Sequence, residues 1–194
     1  LQHLEIEGPG LFELLAKERD FKIEIIRLDK KDNLPQTKEG DLMLIMGGPM
    51  GVKDINSEKY SWLKLERDFI KRELENKRHI IGVCLGAQLL ASAAGGDVEI
   101  LKYGSPPKAL PEIGWSQIFI DKSNKDFREI FEDPFHVLHW HEDRILLPNR
   151  AEIIASSAIC KEQFFRIDDF AYGLQFHIES TEAMLDNLIK EDKE

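Results

Sequence analysis

Residues 80–94 limit the fold more than any other stretch of the chain. Ile80, Ile81, Gly82 and Val83 form a short apolar run that reads as a buried strand, and Leu89 to Ala94 read as a helix closed by Gly95 and Gly96. Cys84 falls at the junction. A strand that turns straight into a helix strains its central residue and exposes that side chain at the end of the sheet. The residues two before and two after must then be small, and here they are Gly82 and Gly86. The free N–H groups and dipole at a helix start favour a thiolate over a thiol. Cys84 therefore reads as a nucleophile, against the alternative of a buried, inert core cysteine.

The elements on either side fit a layered α/β architecture. Leu11, Phe12, Leu14 and Leu15 mark one face of a helix over 11–19, and 21–27 has the composition of a strand. Leu42 to Met46 are apolar on both faces, as in a parallel strand covered by helices. Ser57 is placed to cap a helix running to 77, with Leu65, Phe69, Ile70 and Leu74 on its buried side. After Gly96 the pattern becomes strand-rich: 98–101, 113–120, 135–140, 152–157, 163–167 and 172–176, with a short helix over 126–131 and a last one over 181–190 capped by Ser180. The order predicts one α/β domain over 1–194 with a central, mostly parallel sheet flanked by helices, and further antiparallel strands in the second half. Leu1, Gln2 and His3 read as the tail of a strand whose beginning lies upstream of Leu1.

Charge and cysteine content narrow the functional classes. A formal net charge of -10 argues against general binding to nucleic acid, which needs a basic surface. No apolar run approaches the roughly 18 residues of a membrane span. Two cysteines, one of them at the elbow, do not form a disulfide framework, which points to a reducing cytoplasm.

A thiolate nucleophile needs a base. His177 ends the 172–176 strand, at the end of the sheet where the elbow also lies. Glu179 follows at i+2, on the same side of an extended chain, where a carboxylate can fix the imidazole tautomer. Ile81-Gly82-Val83-Cys84-Leu85-Gly86-Ala87-Gln88, with Gly173 to Glu179 downstream and Gly47-Gly48-Pro49-Met50-Gly51 upstream, resembles the class I (triad-type) glutamine amidotransferases, which share a flavodoxin-like fold. Glu112-Ile113-Gly114-Trp115 and His139-Trp140-His141 resemble most the stand-alone, GMP-synthase-like branch, which plant γ-glutamyl peptidases also resemble.

The resemblance implies a triad of Cys84, His177 and Glu179, with the backbone N–H groups of Gly48 and Leu85 as the oxyanion hole. It implies that Gly47, Gln88, Trp140 and His141 contact the substrate, and it aligns Asp143 with the same binding segment. The implied chemistry passes through a γ-glutamyl thioester to glutamate and ammonia, for a separate synthetase or acceptor subunit, with no cofactor. The alternatives are a γ-glutamyl peptidase acting alone and a catalytically idle regulatory subunit. The proline usual between the family's His and Glu is Ile178 here, which puts the placement of Glu179 in question.

Other residues invite rival readings. His139 and His141 share one face of a strand, but no third ligand stands at suitable spacing and the family uses no metal, so no metal is expected. Cys160 reads as structural, Trp62 and Trp115 as packing, and the charged run 71–78 as a solvated helix face.

Overall fold

The computed structural model describes residues 1–131 and 134–191. In chain order the elements are α1 (Leu11–Glu18), β1 (Leu42–Ile45), α2 (Trp62–Glu75), β2 (His79–Val83), α3 (Leu85–Ala93), β3 (Asp97–Ile100), β4 (Lys102–Tyr103), β5 (Lys108–Ala109), β6 (Glu112–Ile120), α4 (Lys125–Ile130), β7 (Phe135–His141), β8 (Asp143–Leu146), β9 (Ala151–Ser156), β10 (Phe164–Ile167), β11 (Ala171–Leu174) and α5 (Glu182–Glu191).

Seven strands form one mixed sheet in the order β1-β2-β11-β10-β9-β6-β7. β1 and β11 both pair parallel with β2, whereas every ladder from β11 outward is antiparallel. Five strands of the strand-rich second half thus extend the same sheet, while β3 pairs with β8 and β4 with β5 in two separate two-stranded sheets. Side chains alternate across it, so Met43, Ile45 and Ile80 enter one apolar cluster, with α2 and α3, while Leu44 and Ile81 pack on the other. The sheet also curls. Leu138 of β7 bridges to His177, just beyond β11, although three strands separate β7 from β11 in the sheet order. Among the described residues no helix is long and apolar enough to cross a membrane.

Several local expectations change. Residues 21–26 form no strand, and Phe21 and Ile25 are 59% and 45% exposed. A strand needs a neighbour, and here Arg27 alone bridges, to Gln2. Gln2 takes part in a short extended pairing: its N–H donates to the Ile26 carbonyl, its carbonyl accepts from Leu28, and that of Leu1 from Met46. Ser57 begins a short 3-10 turn before α2 instead of capping it. The helical phase then buries Leu63, Glu66 and Glu73 with Phe69, Ile70 and Leu74, and leaves Leu65 exposed. Glu73, inside the run read as solvated, is held by the Thr37 hydroxyl and by Arg72 at 3.1 Å. Trp115 is exposed, and Thr181 rather than Ser180 places its side chain against α5, its hydroxyl accepting from the Met184 N–H.

Candidate active site

The elbow is built as its glycines require. Cys84 has φ 51° and ψ -109°, a conformation that costs a non-glycine residue on the order of 1–3 kcal/mol. A Cβ at Gly82 would lie 2.5 Å from the carbonyl of Gly86, and one at Gly86 would lie 2.2 Å from the carbonyl oxygen of Ile45. No larger residue fits either position without moving backbone. The Cys84 N–H donates to the Leu174 carbonyl at 2.7 Å, which ties the elbow to β11.

β11 delivers the partner. The His177 N–H donates to the Leu138 carbonyl at 2.8 Å. Its Nδ1 lies 2.7 Å from Glu179 Oε1, which leaves Nε2 as the ring nitrogen free of the carboxylate. All three side chains are buried. Burial, the largest effect, disfavours a charged imidazole, but Cys84 and Glu179 outweigh it and hold His177 well above its ordinary pKa. Ile178 does not displace the carboxylate. Its N–H, which a proline would lack, donates to Glu179 Oε2 at 3.0 Å, so both oxygens of Glu179 are held.

The remaining positions surround this centre. A Cβ on Gly47 would be 3.7 Å from Cys84 Cβ and 3.4 Å from His177 Cε1, so its bare backbone lies against both side chains. Gly48 abuts Leu85, the first residue of α3, whose N–H belongs to the set a helix leaves without intrahelical partners. Trp140 offers its carbonyl oxygen, 3.8 Å from Cys84 Sγ. Gln88 is buried and reaches Gln175 Oε1 at 3.4 Å. His141 turns inward: Nδ1 is 2.9 Å from the Asp143 carbonyl, and Nε2 is 3.2 Å from Glu112 Oε2. Glu112 is the third group that the His139–His141 spacing lacked, set opposite His141 by the β6–β7 register.

Two residues escaped the sequence reading. Gln175 is fully buried, with Nε2 3.9 Å from Cys84 Sγ, and the period of two linking it to His177 and Glu179 was the available signal. His3 stands behind the Gly47 loop, with Nδ1 2.7 Å from the Gly47 carbonyl and Nε2 3.0 Å from Glu66 Oε1. Both partners only accept, so the ring carries two protons. Burial opposes that charge, but Glu66 prevails and raises its pKa. Nothing local marks this pair, since 63 residues separate its members. Cys160 is buried and its thiol is pushed up to about 12, chiefly by burial, which suits the structural role expected of it.

The fold is a mixed, curled sheet flanked by helices, and its cysteine elbow stands beside a His-Glu pair. The family model for glutamine amidotransferase class-I matches residues 13–193, and the chain belongs to that family. It is 30% identical to the glutamine amidotransferase-like protein YfeJ of Salmonella typhimurium, over 99% of this chain and 79% of that one. It is 28% identical to gamma-glutamyl peptidase 3 of Arabidopsis thaliana, over 58% of this chain and 45% of that one. Identity to a glutamine-hydrolyzing GMP synthase subunit of Methanocaldococcus jannaschii is 29%, over 76% of this chain and 69% of that one. Among solved structures, a glutamine amidotransferase from Thermotoga maritima superposes with a TM-score of 0.86 at 34% identity, covering 99% of this chain and 80% of that one.

Proposed function

We propose that this chain is a glutaminase-type amidotransferase that releases ammonia from glutamine through a Cys84 thioester. The observation that carries the reading is the arrangement at the elbow: the Cys84 and His177 side chains meet over the bare backbone of Gly47, and His177 Nδ1 is held 2.7 Å from Glu179. In this reading the Cys84 thiolate adds to the side-chain amide carbon, and the Gly48 and Leu85 N–H groups receive the oxyanion. His177 gives its proton to the amide nitrogen, ammonia leaves, and the γ-glutamyl thioester remains. Water then attacks as His177 takes its proton, glutamate departs, and the Cys84 thiolate beside a protonated His177 is restored. Glu179 keeps the ring oriented and stabilises its charged form. Gly47, Gln88 and Trp140 border the substrate, while His141 holds the end of β7 from inside the protein. The likeness to separate GMP synthase subunits supports a distinct synthetase as the acceptor of ammonia.

A γ-glutamyl peptidase acting alone is the second reading, favoured by the likeness to gamma-glutamyl peptidase 3. Ammonia release from glutamine, measured beside turnover of γ-glutamyl dipeptides, separates the two. Cys84→Ala is expected to abolish whichever activity is found while leaving the fold intact. A chloroketone analogue of glutamine is expected to alkylate Cys84 and spare Cys160, located by mass spectrometry of the digested protein. A label on Cys160 would overturn the assignment, and no turnover of either substrate under any condition would leave the idle-subunit reading in its place.

A further inference from the structure

Beside the thiol, β6 and β7 build a second polar cluster that the amidase reading does not use. The strand register sets Glu112 opposite His141, and His139 shares the face of His141. The exposures of Glu112, His139 and His141 are 9%, 1% and 5%, and one ligand-type atom from each lies within 4.8 Å of the other two.

The hydrogen bonds define what this cluster needs. The Asp143 carbonyl only accepts, so His141 Nδ1 carries a proton toward it. In a neutral ring, the Nε2 lone pair then faces Glu112 Oε2 at 3.2 Å. The Gln163 amide nitrogen donates to that same Glu112 oxygen and lies 3.3 Å from His141 Nε2, so the pair is bridged either by this amide together with a proton on His141 or by a metal ion. His139 decides between them. Neither of its ring nitrogens makes a well-formed hydrogen bond, although the Ser116 backbone is within polar reach, and Nδ1 is 4.0 Å from the same Glu112 oxygen. A proton on His141 would satisfy one pair and leave His139 unused, whereas a metal ion would employ all three groups. Gln163 lies 3.3 Å from His141 Nε2 through its amide nitrogen, and its Oε1 is buried with no hydrogen-bond partner. Half a turn of that amide would give up its bond to Glu112 and present the oxygen to the cluster.

We infer that Glu112, His139 and His141, completed by the amide oxygen of Gln163, form a structural site for zinc or a similar divalent transition metal. Two imidazoles, a carboxylate and an amide oxygen suit such an ion. Zinc bonds of about 2.0–2.1 Å place tetrahedral ligand atoms roughly 3.3 Å apart. The His141–Glu112 spacing already meets this, and His139 Nδ1, 4.0 Å from the same oxygen, would close the remaining gap on binding. The His141–Asp143 bond is the outer contact that fixes a ligand's tautomer. With every ligand buried, the site is of the closed, structural kind. It would clamp the segment of β7 whose carbonyls meet Cys84 Sγ and the His177 N–H.

The test uses the full chain carrying Cys84→Ala, which removes the nearby thiol as a competing ligand. After chelator treatment and dialysis, cobalt(II) is added at micromolar concentration, and zinc in a parallel sample. The expected results are one equivalent bound, visible cobalt bands of a four-coordinate nitrogen and oxygen site, no thiolate-to-cobalt charge-transfer band, and a zinc-dependent rise in Tm. Glu112→Gln and His139→Ala are each expected to weaken binding at least tenfold. Should either variant fail to fold, the proton NMR spectrum of the cobalt-loaded Cys84→Ala chain is expected to show paramagnetically shifted ring signals from two histidines. Substoichiometric binding with no change in Tm, a thiolate band, undiminished binding in folded His139→Ala, or the absence of shifted histidine signals would each overturn the site.

Discussion

At His177 burial opposes the charged imidazole, and the charges of Cys84 and Glu179 overcome it. A histidine whose pKa rises on folding adds stability that is fully present below its unfolded pKa of about 6.5 and is lost as pH rises through the folded value. Glu179→Gln keeps the size of the side chain and removes its charge. In that variant the NMR titration of the His177 ring is expected to move to lower pH, and the alkaline loss of urea stability should begin earlier and be smaller. Glutamine hydrolysis should fall, but less than in Cys84→Ala, because the nucleophile, the imidazole and the backbone donors remain. An unchanged ring titration would show that Glu179 does not act on His177. The His177–Glu179 pairing was legible because it needs only an extended chain and a period of two. What Ile178 does was not legible. The sequence shows that a proline ring is missing, but whether the N–H gained reaches Glu179 Oε2 depends on the fold of the loop.

The elbow shows how far an element can be read from its own residues. Strand, sharp turn and helix lie in one short stretch, and the glycines at 82 and 86 are dictated by contacts inside the motif or with β1 next to it. Gly86→Ala is the sharpest test, since the new methyl would meet the Ile45 carbonyl oxygen at 2.2 Å. The expected cost is about 1–3 kcal/mol, the usual range for overpacking, with α3 pushed away from β1 and activity lost with it. Gly40→Ala is the comparison: nothing lies within 4 Å of the added carbon, so only its φ of +88° is strained. Equal losses in chemical denaturation would show that the elbow is not sterically closed. Where an element depends on distant partners, sequence reading fails. Residues 21–26 have strand composition without a ladder, and Glu66 and Glu73 are buried because His3 and Thr37 reach them. Glu112 joins His141 only through the β6–β7 register.

At the scale of the molecule, the curl of the sheet makes the site a joint between its two halves. Cys84 and His177 come from the ends of the parallel strands, while the carbonyls of Leu138 and Trp140 come from β7 at the far antiparallel edge. The change from alternating helices and strands to a strand-rich second half was visible in the sequence. The closure was not, because main-chain carbonyls carry no sequence signal. It follows that neither half keeps its site-facing edge satisfied without the other, and that Val83, Ile118, Val137 and Phe176 share one apolar cluster across the joint. Unfolding is therefore expected to be a single cooperative transition, although the chain is longer than most domains that behave so. The measurement is urea unfolding followed by far-UV circular dichroism, by tryptophan fluorescence from Trp62 on α2, Trp115 on β6 and Trp140 on β7, and by reaction of Cys160 with a thiol reagent. Cys160, 2% exposed in the strand-rich half, should become reactive at the same midpoint at which the helical signal is lost. Separate midpoints, with Cys160 exposed while the helices persist, would show that the halves fold independently and that the contact between Leu138 and His177 does not couple them.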